Sequence, residues 1–300
     1  MSCPFQGSFV ALPTPFRGER LALDDLEELV ELHAARDTAG IVVAGTTGEA
    51  STLNDFERRS LIHAAVDASR GRLQVIAGVG TNCTHKSIEL ARFAAGCGVD
   101  GLLAVTPYYN KPTRKGLLLH FGLLADATDV PLVLYNVPGR TGLDMAPEVT
   151  AELAVRHETV VAIKETVADV ERVRALVASG AIDVLCGEDA LLFEYLEAGA
   201  VGNIGVTSNL LPDAVAELCR VGRADGDPER ARELAASLAP VTRALFLETN
   251  PGPVKAALEL LGRCSAALRP PLAPLEDETR ARLEQALRRA GLLAMQASGV

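Results

Sequence analysis

Eight short runs rich in Val and Ile, at 8–12, 40–44, 74–77, 101–105, 131–134, 160–163, 183–185 and 202–206, punctuate the chain, and each gives way to polar or Gly/Pro residues. Between them lie stretches with apolar residues at helical spacing, such as 23–35, 54–68 and 86–95. A strand buried on both faces reads as an unbroken apolar run, and parallel strands joined by crossover helices are buried in that way. Eight such units in series predict a (β/α)8 TIM barrel, an α/β fold, better than an open sheet. A dinucleotide-binding sheet would carry a glycine fingerprint after a strand, and Gly78-Val79-Gly80 lacks its third glycine. From Pro212 onward no strand signal recurs, and 213–219, 228–247, 254–261 and 277–293 read as helices. The expected organisation is a barrel over 1–211 with a C-terminal helical extension over 212–300 packed on it, because no Gly- or Ser-rich linker separates the two. Asn54-Asp55-Phe56-Glu57 predicts a capping box at the start of the second helix.

Composition narrows the function classes. A net charge of −10 argues against nucleic acid, since nothing would neutralise a run of phosphates. Arg280, Arg282, Arg288 and Arg289 alternate with Leu283, Leu287 and Leu292, the pattern of a solvated helix face. Met1 to Phe5 lack the basic start and apolar run of a signal peptide, and no stretch is apolar for long enough to span a bilayer. Cysteines 3, 83, 97, 186, 219 and 264 form no Cys-x-x-Cys pair, and histidines 33, 63, 85, 120 and 157 form no His-x-x-x-His pair. A cytoplasmic chain with reduced thiols and no structural metal is the expectation.

In such a barrel the chemistry sits at the carboxyl ends of the strands. Those ends hold Gly45-Thr46-Thr47-Gly48-Glu49, Thr106-Pro107-Tyr108-Tyr109-Asn110, Tyr135-Asn136-Val137-Pro138, Lys164-Glu165-Thr166, Gly187-Glu188-Asp189 and Thr207-Ser208-Asn209. Three of the four tyrosines of the chain fall among them. Lys164 closes an apolar run, so its stem leaves a buried strand and its amine enters the barrel mouth. Desolvation there favours a neutral amine able to attack a carbonyl. A lone lysine at a strand exit is more often half of an ion pair, here with Glu165 or another carboxylate; its neighbours reverse that reading. Tyr135 ends the preceding strand, and a phenol relayed by other hydroxyls can shuttle protons. Thr46 and Thr47 supply hydroxyls in a turn whose amides suit a carboxylate. Arg140 follows in a turn stiffened by Pro138, where a guanidinium would hold a second carboxylate through two parallel hydrogen bonds.

Together with Tyr108-Tyr109-Asn110-Lys111-Pro112, the stretch Tyr135 to Gly142, the stretch Gly202 to Asn209 and Asn250-Pro251-Gly252-Pro253-Val254-Lys255, these motifs run in order along nearly the whole chain. The chain resembles the dihydrodipicolinate synthase and N-acetylneuraminate lyase family. The resemblance implies a barrel with a C-terminal helical part, an imine between Lys164 and pyruvate, and a proton relay of Tyr135, Thr46 and Tyr109. It implies that Tyr109 completes the site of a neighbouring subunit in a homotetramer, that Thr47 holds the pyruvate carboxylate, and that Gly187 and Ile204 line the pocket. Arginine at Arg140 is typical of the synthase members, where it receives the carboxylate of an aldehyde substrate, aspartate semialdehyde. No metal or organic cofactor is implied, because the protonated imine is the electron sink. Ala50, Gly252 and Glu188 depart from the usual synthase residues. Related barrels cleave or dehydrate keto-deoxy sugar acids and hydroxy-oxoglutarate with the same lysine, and a silent 2-oxo acid sensor is the alternative outside enzymology. Many family members are inhibited by lysine beside an asparagine and the first tyrosine of the pair, facing an acidic residue. Asn82 and Tyr108 are kept here, but the acidic position holds Lys86, and the accompanying histidines are replaced by Asp55 and Arg58. Insensitivity to lysine is the expectation.

Overall fold

The computed structural model describes residues 4–294, so Cys3 lies outside the described residues. Eight parallel strands close into a barrel in chain order: Gly7–Ala11, Gly40–Val43, Gln74–Gly78, Gly101–Val105, Leu132–Asn136, Val160–Glu165, Asp183–Cys186 and Gly202–Gly205. The eighth strand pairs with the first, Phe9 opposite Ile204, and leaves no open edge. A two-stranded ribbon, Phe16–Arg17 with Arg20–Leu21, follows the first strand.

Each strand sends alternate side chains to opposite faces, and two apolar layers result. Phe9, Val42, Ile76, Leu103, Val133 and Ala162 fill the barrel interior. Val10, Ile41, Val75, Leu102, Leu134 and Ile163 face the surrounding helices. Phe5 and Phe9, edge to face with centroids 5.8 Å apart, plug the amino-terminal end of the barrel. A Cβ on Gly101 would come within 2.5 Å of the Phe5 ring, so that strand starts on a residue without one.

The predicted capping box is present: the Glu57 amide donates to Asn54 Oδ1 at 2.9 Å, and the Asn54 amide donates to Glu57 Oε2 at 3.0 Å. Helix Pro212–Val221 follows the eighth strand and packs against the first, so it serves as the eighth barrel helix. Helices Pro228–Ala244, Gly252–Leu260 and Asp277–Arg289 continue beyond it. The extension reaches back over the carboxyl face of the barrel. There Arg269 binds Glu57 and donates to the Thr52 carbonyl at 3.0 Å. Among the described residues no helix is long and apolar enough to cross a membrane.

Candidate active site

Strand alternation decides where the sixth strand points its polar end. Ala162 lies in the interior and Ile163 outside, so Lys164 points in and Glu165 out. Glu165 is fully buried in the outer layer, where it accepts from Arg172 Nε at 2.8 Å and Asn136 Nδ2 at 3.1 Å. Among the described residues no carboxylate lies within ion-pair distance of Lys164, and the expected rival pairing with Glu165 does not form. Lys164 is instead register-paired with Tyr135, and its Nζ lies 4.5 Å from the centroid of that ring. Both side chains are buried.

The next strand makes room for the lysine stem. A Cβ on Gly187 would sit 2.8 Å from Lys164 Cε and 2.6 Å from Thr166 Cγ2, closer than side chains tolerate. Beside it, burial and the Asp189 charge push the Glu188 carboxyl above the usual carboxylate range, while the Lys164 charge opposes them. Ile204 is buried in the interior layer with Tyr135 and Leu185.

A cavity of about 310 Å³ opens at the mouth, with Thr46, Tyr135, Arg140 and Asn250 among its walls. The turn that carries Thr46 and Thr47 is held from three sides. Thr14 Oγ1 donates to the Gly48 carbonyl at 2.6 Å. Asn250 Nδ2 donates to Thr47 Oγ1 at 3.0 Å, which leaves the threonine hydroxyl hydrogen free to donate. Glu49, with φ of 51°, is fully buried and pairs with Lys255 Nζ at 2.6 Å. Lys255 also donates to the Thr14 carbonyl at 2.9 Å, and Glu49 accepts from the Arg269 amide at 3.0 Å. Burial pushes the Lys255 amine down and the Glu49 carboxylate opposes it. Removing one member of such a pair costs about 3–5 kcal/mol, so this contact holds the turn firmly. Arg140, in the single-turn helix Pro138–Thr141, donates through Nη2 to the Asn250 carbonyl at 3.2 Å.

Tyr135, Thr46 and Arg140 thus line one cavity, while Lys164 and Gly187 meet beside Tyr135. Tyr109 stands apart: the residue is 90% exposed, with φ of 71°. Asn250, Lys255 and Glu49 have structural roles that inspection of the sequence did not assign, although all three sit inside quoted motifs. A buried lysine amine beside a phenol, with no carboxylate among the described residues in ion-pair contact, and a guanidinium at the cavity wall suit imine chemistry on an acidic carbonyl compound.

Residues 4–290 match the model of the dihydrodipicolinate synthetase family. The chain belongs to this family. Over 282 residues it is 45% identical to the 4-hydroxy-tetrahydrodipicolinate synthase of Trichlorobacter lovleyi, covering 93% of this chain and 97% of that one. The crystal structure of dihydrodipicolinate synthase from Aquifex aeolicus superposes with a TM-score of 0.94 at 40% identity, covering 96% of this chain and 99% of that one. The chloride-inhibited dihydrodipicolinate synthase from Acinetobacter baumannii, solved with pyruvate, gives 0.93 at 42% identity, with coverage of 96% and 99%. Family membership accounts for the barrel, the extension and the order of the motifs together.

Proposed function

We infer that the chain is a Schiff-base-forming lyase that condenses pyruvate with L-aspartate 4-semialdehyde, the reaction of a 4-hydroxy-tetrahydrodipicolinate synthase in lysine and diaminopimelate biosynthesis. Identity of 45% to such a synthase over nearly the full length of both chains carries this reading. The Lys164 amine attacks C2 of pyruvate and water leaves, giving the protonated imine. Loss of a methyl proton forms an enamine, whose carbon adds to the aldehyde. The amine of that second substrate then displaces Lys164, closes the ring and frees the enzyme. The imine is itself the electron sink, so the chemistry asks for no metal or organic cofactor.

Tyr135, Thr46 and a neighbouring subunit's Tyr109 carry the protons; the exposure of Tyr109 supports a role outside its own chain. That arrangement needs at least a dimer, and we place it in a homotetramer, a dimer of dimers. Thr47 holds the pyruvate carboxylate, Gly187 and Ile204 shape the pocket, and Arg140 receives the carboxylate of the aldehyde. The free thiols at Cys83, Cys97, Cys186, Cys219 and Cys264 suit the reducing cytoplasm. The test is borohydride reduction in the presence of pyruvate, followed by peptide mass spectrometry, beside turnover with aspartate semialdehyde and a panel of keto-deoxy sugar acids. The wild-type protein is expected to carry a pyruvyl adduct on Lys164, Lys164→Ala none, and turnover to require the semialdehyde. An adduct that persists in Lys164→Ala, or faster turnover of a sugar acid, overturns the assignment.

A further inference from the structure

The alternation that sends Tyr135 and Lys164 into the barrel sends their successors, Asn136 and Glu165, to its outer face, where the two again stand opposite one another. Both are fully buried. The Glu165 carboxylate accepts from four donors: Arg172 Nε at 2.8 Å, Asn136 Nδ2 at 3.1 Å, and the Thr166 and Val167 amides at 2.8 and 2.9 Å. Asn136 is as heavily engaged. Its Nδ2 also donates to Asp144 Oδ1 at 2.8 Å, its Oδ1 accepts from the Met145 amide at 3.0 Å, and its carbonyl accepts from Thr166 Oγ1 at 2.9 Å. Arg172, in the first turn of helix Val170–Ala178, closes the ring by donating through Nη1 to Asp144 Oδ2 at 3.1 Å.

Stability alone does not call for such a ring, because desolvation offsets the attraction within a buried ion pair and packed apolar residues often serve as well. Its place in the strand pair gives it another use. Pairing between the fifth and sixth strands is irregular near their start: Leu132 stands opposite Val160 but Val133 opposite Ala162, so Val161 is passed over. Beyond such a bulge the register has to be pinned again, since a slip of one residue would turn Lys164 out of the barrel. Asn136 and Glu165 are the polar pair that closes the two strands on the outer face, one residue beyond Tyr135 and Lys164. We propose that Asn136 and Glu165 are positioning residues: their hydrogen bond, braced by Arg172, fixes the last strand pair and so sets the Lys164 amine against the Tyr135 ring. They act through the backbone, because the reacting groups lie on the opposite face of the sheet. The kinetic consequence rests on the lyase reading above, and the geometric one on the fold alone.

Two variants test it in the assembled enzyme. Glu165→Gln keeps the shape of the side chain but turns an NH2 toward groups that donate to it, and Asn136→Leu removes the cross-strand bond while leaving Glu165 its arginine and amides. The readouts are the rate of pyruvyl-adduct formation on Lys164 under borohydride, kcat and both KM values, denaturant unfolding, and crystal structures without substrate. Trapping rate and kcat per folded enzyme are expected to fall about ten- to a hundredfold, with KM for the aldehyde within about twofold of wild type. Lys164 Nζ, 4.5 Å from the Tyr135 centroid in wild type, is expected to shift by about 0.5–1 Å. The double variant should lose little more than the worse single variant, because the same contact is removed twice. Wild-type trapping rates in both variants overturn the proposal, as does a fall that only tracks the folded fraction, or losses that multiply in the double variant. If Glu165→Gln fails to fold, Asn136→Leu decides by the same measurements. An unmoved Lys164 amine in the substrate-free structures overturns the proposal whatever the chemistry; a wild-type enzyme that forms no pyruvyl adduct overturns the lyase reading and leaves that geometry to decide.

Discussion

Gly187→Ala is the smallest change that reaches the amine proposed to form the imine without altering any proposed reactive group. The new methyl would lie 2.8 Å from Lys164 Cε, 2.9 Å from Lys164 Cγ and 2.6 Å from Thr166 Cγ2. Carbon atoms settle at about 3.5–4.0 Å, so the lysine stem must move by roughly 0.7–1 Å or the seventh strand must back away. The second course is resisted by the Gly187 amide, which donates to the Glu165 carbonyl at 2.8 Å, and by strand pairing of Lys164 with Leu185. Overpacking of this kind costs about 1–3 kcal/mol of stability, and a misplacement near 1 Å costs about a hundredfold in rate. The expected result is a folded protein whose kcat/KM falls about a hundredfold and whose pyruvate adduct forms correspondingly slowly under borohydride. Circular dichroism, denaturant unfolding and steady-state kinetics read the two effects separately. A variant within threefold of wild type in kcat/KM would show that the lysine stem does not depend on the missing Cβ.

Three further outcomes follow from the same geometry. Arg140→Ala should raise KM for the aldehyde far more than for pyruvate, because Arg140 lies at the cavity wall while the proposed imine ties pyruvate to Lys164; equal losses would count against that division. His33 and His120, pushed down to about 4 by burial, stay neutral in the fold between pH 6.5 and 4 while the unfolded chain takes up protons. Stability should therefore fall as pH drops through that window, by up to about 3 kcal/mol per histidine, and not change on their account above pH 7; a flat unfolding midpoint from pH 7 to pH 5 would contradict it. Millimolar lysine should leave turnover at low pyruvate unchanged, since Asp55 is paired to Lys86 and Arg58 repels an ammonium; a steep dose-response would refute this.

Much of the barrel was legible because each strand–helix unit is local. The eight apolar runs coincide with the eight strands to within a residue or two, and the capping box at Asn54 forms as spaced. In the two cases where a strand outlasts its run by two residues, the fifth continues through Tyr135 and Asn136, and the sixth through Lys164 and Glu165. An apolarity pattern ends where polar groups begin, and at the carboxyl end of a barrel strand those groups are the chemistry. Lys164 and Tyr135 stand out in the sequence for the same reason, as polar residues terminating apolar runs.

What local pattern could not disclose is how the mouth is held. Lys255 meets Glu49 across 206 positions of sequence, Asn250 meets Thr47 across 203, and Arg269 meets Glu57 across 212. No periodicity links such partners, and a lysine in an apolar helix segment gives no sign of the carboxylate it will bury against. Arg58 is the converse case, a residue whose position early in a helix suggests a solvated cation and whose burial appears only in three dimensions. The Lys255, Asn250 and Arg58 contacts converge on the turn at 45–50, which carries Thr46 and Thr47 on one side and the Ala50 carbonyl that Arg58 grips on the other. The extension therefore acts on the chemistry indirectly. By burying a charge pair beneath that turn it fixes the one backbone segment that carries both the Thr46 and Thr47 hydroxyls and the Ala50 carbonyl to which Arg58 donates.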